Sequence, residues 1–72
     1  MTAQISEHDR DQIENILGGY GDWFSAQLLR LIAKADVDNK ELIRQVFPDH
    51  VEAYEAWYLG MSLDDYRLMR SL

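Results

Sequence analysis

Residues 21–35 read GDWFSAQLLRLIAKA, and no other stretch of the chain is apolar over so much of a helix's circumference. At roughly 100° per residue, Phe24, Ala26, Leu28, Leu29, Leu31, Ile32, Ala33 and Ala35 fill a broad arc, leaving Trp23, Gln27, Arg30 and Lys34 as a narrow strip. Such a helix has to be covered, and the other segments read as shorter pieces with one apolar side each. The expectation is all-α: a compact bundle of four or five short helices around a central buried helix spanning about residues 22–35.

A chain of 72 residues fits one domain, residues 1–72, near the lower size at which a single core suffices. It has no cysteine, so neither a disulfide framework nor a thiolate metal site holds it together. Hydrophobic content of 47% with 28% charged residues belongs to a folded domain rather than an acidic disordered tail. Seven basic and 13 acidic residues leave a net charge of −6, which repels nucleic acid and anionic lipid. The opening MTAQISEHDRDQ lacks the basic start and apolar run of a secretory leader, and no run approaches the roughly 20 apolar residues that cross a bilayer. A cytoplasmic protein without a membrane partner is the resulting expectation.

Along the chain, Ser6 is placed to cap a first helix carrying Ile13, Ile16 and Leu17, which Gly18 and Gly19 stop. Asp22 is expected to cap the central helix. Asp38 with Glu41 suggests a capping box for a short third helix holding Leu42, Ile43, Val46 and Phe47. Pro48 closes that helix and suits the first turn of the next, expected over residues 48–59 with Val51, Tyr54, Trp57 and Tyr58 on its apolar side. Gly60 ends it. Ser62 and Asp65 form a box-like cap for a last helix, with Met61 set to staple against Tyr66. The GGYGD run at residues 18–22 has neither the lysine nor the preceding strand of a phosphate loop.

The GDWF start, the LLRLIAKAD helix, an Asn shortly after it, and FP followed by V-x-A-Y-E-x-W extend from Gly21 to Gly60. In these features the chain resembles a group of short uncharacterised proteins encoded by bacteriophages and prophages. The resemblance implies a mobile-element origin and no catalytic residues. It also favours a protein that binds and redirects a host protein in the bacterial cytoplasm.

Two groups of residues stand out as partner-binding candidates. Trp23, Gln27, Arg30 and Lys34, the strip left over on the central helix, would combine an aromatic with two cations at the surface. In the plainer alternative, Trp23 folds into the core while Arg30 and Lys34 pair with neighbouring acids. Asp49, Glu52, Glu55, Asp64 and Asp65 crowd the last third of the chain, and Asp36, Asp38 and Glu41 extend them. Carboxylates on a rigid helical face can imitate a phosphate backbone and occupy a basic groove. A solvated helix face, with Asp38 and Asp65 used as caps, is the competing explanation.

Residues 56–69 match a helix-turn-helix loosely, but Asp64 and Asp65 would open its recognition helix beside phosphates. His8 and His50 read as surface histidines, since neither has the spacing of a zinc or calcium motif. Ser6, Ser25, Ser62 and Ser71 have no paired base, so neither catalysis nor a cofactor is expected. Taken together, the residues suggest a small acidic phage-type protein that binds a host protein with a basic surface. Its sharper form is an inhibitor of a nucleic-acid-handling defence complex such as a CRISPR effector. The alternatives are a homo-oligomeric accessory module, as a homodimer with the fourth-helix aromatics at its interface, and a small DNA-binding regulator.

Overall fold

Ser6 begins the first helix as its position suggests, with the side-chain oxygen accepting from the Asp9 amide at 3.1 Å. The computed structural model describes residues 4–72; Met1 to Ala3, the start of the segment read against a secretory leader, lie outside them. Six helices and no strand occupy the described residues: α1 (Glu7–Asp11), α2 (Ile13–Leu17), α3 (Phe24–Lys34), α4 (Val37–Val46), α5 (Pro48–Tyr58) and α6 (Leu63–Arg70). The expected first helix is two short ones, because Gln12 leaves helical angles at φ −102° and ψ 10°.

Two other caps are shifted from their expected places. Trp23, not Asp22, occupies the N-cap of α3 and gives no side-chain hydrogen bond there. Asp36, two residues before the Asp38 of the expected box, caps α4 by accepting from the Asn39 amide at 2.8 Å. Ser62 caps α6 as expected, through the Asp65 amide at 3.1 Å.

Both glycine stops close with the same pair of hydrogen bonds. After α2, Tyr20 N–H donates to Asn15 and Gly19 N–H to Ile16; after α5, Met61 N–H donates to Ala56 and Gly60 N–H to Trp57. This is the Schellman arrangement, which needs a left-handed residue just past the helix. Gly19 at φ 115° and Gly60 at φ 72° supply it.

The main core cluster holds Ile16, Ala26, Leu28, Leu29, Ile32 and Val51. Four of these six come from α3, so residues 22–35 do sit at the centre of the apolar interior. Coverage of α3 is nevertheless one-sided. Phe24 is 70% exposed and Leu31 56%, because α3 and α4 each lie against α5 and leave the flank between them open. The second cluster, Ala53, Ala56, Leu63 and Tyr66, joins α5 to α6, with Ile5, Ile13 and Met61 packed against it.

The inward side of α5 is the expected one only in its first half, where Val51 is buried and Tyr54 packs against the core; Trp57 and Tyr58 are exposed. His50, Val51, Ala53 and Ala56 are buried, while Tyr58 is 72% exposed. Small alanines let α6 and the N-terminal helices approach the α5 backbone closely, and the bulkier rings then lie along the outside. His50, expected at the surface, is 4% exposed and packs edge-on against the Phe47 ring, with centroids 5.6 Å apart.

Candidate protein-binding surfaces

Of the polar strip on α3, Trp23 and Arg30 are committed to the fold. The Trp23 indole Nε1–H donates to Asp9 Oδ1 at 2.9 Å, and Ser25 Oγ donates to Asp9 Oδ2 at 2.5 Å. Asp9, in the first turn of α1, is 3% exposed. Burial pushes its carboxyl upward, but hydrogen bonds from Ser25, Trp23 and Ser6 and the nearby His50 hold it below its ordinary value. One carboxylate therefore ties α1 to the start of α3.

Arg30 pairs with backbone carbonyls rather than with neighbouring acids. Its Nη1 donates to Ile16 O at 2.9 Å and Tyr20 O at 3.1 Å, and its Nη2 to Gly21 O at 2.6 Å. A guanidinium fork thereby satisfies carbonyls in the α2–α3 connection, at the negative end of the α2 dipole. Gln27 is exposed and donates to Asp22 O at 2.6 Å, and Lys34 is exposed. The four residues therefore form no single working surface.

The acidic group divides in two. Asp49 and Glu52 are held by Arg67, at 2.5 and 3.3 Å, and Arg70 lies 3.6 Å from Glu52. Asp49 Oδ2 also accepts from the Ile5 amide at 3.2 Å. Glu55 accepts from Arg44 Nη2 at 2.8 Å and from Tyr66 Oη at 2.9 Å. Burial pushes Glu55 up, yet these two donors leave it below its usual value. The Tyr66 hydroxyl moves the other way, raised by burial and by the carboxylate it serves. Three of the five acids thus bind α4, α5 and α6 together.

Asp64 and Asp65 differ. Both are exposed in the first turn of α6, and the cation nearest Asp64 is Arg10 at 3.8 Å. A shallow cleft of about 210 Å³ lies beside them, lined among others by Arg10, Asp11, Ile13, Trp57 and Met61. Its lining holds one carboxylate, Asp11, one cation, Arg10, and the Trp57 indole, 38% exposed, and the two α6 carboxylates follow directly after its Ser62 and Leu63 wall.

A second kind of surface runs between α3 and α4, where sequence reasoning placed core. Phe24, Leu31, Leu42 and Val46 are all more than half exposed. A cleft of about 500 Å³ separates the two helices, with Leu31, Leu42 and Ile43 among its walls; a neighbouring one of about 380 Å³ is lined by Phe24, Gln27, Leu28 and Leu31. The amphipathic spacing of α4 is plain in the sequence. Its being left half uncovered is not.

In the α5–α6 pair, Asp64 and Asp65 stand in the first turn of α6 and Arg67 and Arg70 in its last. Among the described residues no three His, Asp or Glu side chains converge as a metal site requires, and no helix is long and apolar enough to cross a membrane. No protein family, no curated protein and no solved structure matches the chain.

Proposed function

We propose that this chain works by binding another protein, and that the acidic edge around Trp57 receives a basic partner. The observation that carries the reading is the contrast among its acids. Asp49, Glu52 and Glu55 are neutralised by arginines of the same chain, whereas Asp11 lines a cleft with the partly exposed Trp57 indole and Asp64 and Asp65 stand exposed in the first turn of α6 just past its wall, with Arg10 as the nearby cation. Charge of this kind steers a cationic partner, and the indole supplies the apolar anchor and cation-π face that a contacting arginine prefers. In the sharper form suggested by the resemblance to phage proteins, the partner is a nucleic-acid-handling complex of a bacterial host, met in the cytoplasm. The carboxylates would then stand in for phosphates in its groove.

Capture of proteins from bacterial lysate on the immobilised chain tests this, with mass spectrometry to identify what is retained. The captured species should be a basic protein, released by heparin or duplex DNA and lost when Asp11, Asp64 and Asp65 are reversed to lysine together. Undiminished capture by that triple variant, with its helical content intact, would refute the reading.

A further inference from the structure

We infer that the open face between α3 and α4 is covered by the same face of a second copy of this chain. Phe24 and Leu31 stand seven residues, two turns, apart on one side of α3, with the core residue Leu28 beneath them. Phe24 and Leu31 are mostly exposed, and Leu42 and Val46 extend the apolar strip onto α4. None of the residues of α4 is buried, although apolar side chains recur along it at helical spacing. Four large apolar side chains, each more than half exposed, thus lie along one flank.

Charge identifies the occupant. The clefts on this face are lined by one cation, Lys34, and one carboxylate, Asp36, and the latter is already engaged in capping α4. The whole chain carries −6. Asp38, one turn before Leu42, adds one more carboxylate, so this flank keeps only a small part of the chain's negative charge; two copies approach there with little repulsion, and a basic partner gains little from it.

Shape agrees with charge. The Phe24 ring, 6.0 Å from that of Phe47, projects at one end of the flank, and the cleft walled by Leu31, Leu42 and Ile43 opens at the other. Projection and cleft lie seven residues apart on α3, about 10 Å along the helix. A two-fold axis passing beside Gln27 and Leu28 sets α3 antiparallel to its counterpart and places each Phe24 ring at the other copy's cleft. That is an isologous, closed contact, which stops at two copies.

Sedimentation equilibrium from micromolar to millimolar concentration at two salt levels tests the pairing. A dimer is expected, tighter in high salt because the like charges elsewhere on the two copies are screened. Phe24→Glu and, independently, Leu42→Glu should remain monomeric over the same range while keeping their circular dichroism. Since the chain has no cysteine, Gln27→Cys should oxidise to a covalent dimer, and Asp65→Cys should not. A wild-type monomer at millimolar concentration overturns the inference. So does a dimer that survives both glutamate variants or links through position 65. Lysine at Asp11, Asp64 and Asp65 leaves the dimer intact, so this result stands apart from the basic-partner test.

Discussion

Asp9 is the residue on which the N-terminal half depends. Alanine there leaves the Trp23 and Ser25 donors without their acceptor, and an orphaned buried donor costs about 1–3 kcal/mol. Urea unfolding of Asp9→Ala should show a loss of that order, while Glu7→Ala, two residues earlier and exposed, should show almost none. His50 adds a pH dependence. Burial, the strongest influence on it, lowers its affinity for a proton against the pull of Asp9 and Asp49, and its Nδ1 has no hydrogen-bond partner among the described residues. The unfolded chain, with histidine near 6.5, takes up that proton first, so acid favours unfolding. Stability should be full above about pH 6.5 and decline below it; Asp9 and Glu55, also depressed in the fold, extend the decline below about pH 4.5. Thermal melts from pH 8 to 4 should show this, and His50→Gln should flatten the portion between pH 7 and 5. In the sequence, Asp9 stood in register with Ile5, Ile13 and Ile16, so an acid on an apolar stripe was visible. The tie between Arg30 and three backbone carbonyls left no such trace, since every residue offers a carbonyl.

At the level of the helices, punctuation was the legible part. Ser6, Gly19, Pro48, Gly60 and Ser62 all begin or end elements where residue chemistry alone places them. Which side of the second half of α5 turns inward was not legible, because a file of alanines and a file of aromatics are both apolar and only the neighbours decide between them. Two glycine substitutions separate conformation from contact. Gly60→Ala meets open space but keeps φ 72°, so it should cost about 1 kcal/mol. Gly21→Ala adds a clash, since its methyl would run into the Trp23 ring, and should cost more, with disturbance of the indole's bond to Asp9. Denaturant midpoints of the two variants check the order. The attachment of α6 combines the buried Leu63 and Tyr66 with ion pairs from Arg67 and Arg70 to α5. These pairs are partly exposed and weaken with salt, so amide exchange in α6 should accelerate at 1 M salt before that in α3.

For the molecule as a whole, little core is shared among many elements. A domain of this length commonly has about 4–11 kcal/mol of stability, and truncating a fully buried leucine removes about 2–5. Leu29→Ala should therefore leave a measurable unfolded fraction at 37 °C, read by far-ultraviolet circular dichroism. Net charge was readable from composition, but its division into an internally neutralised set, an acidic edge and a weakly charged apolar flank was not. That division depends on which arginines the fold brings to which acids. It also sets opposite salt dependences for the two proposed contacts: added salt should release a basic partner from the acidic edge and tighten pairing through the apolar flank.

The two tryptophans occupy contrasting surroundings, one bonded to a sheltered carboxylate and the other at the rim of the acidic edge. Their fluorescence is consequently a pair of built-in reporters. Emission from Trp57 should change colour when a partner settles on the edge, and quenching by caesium ion, which an acidic edge attracts, should reach it before Trp23. Occupancy and unfolding can then be followed separately, without a dye attached to a chain too small to carry one unnoticed.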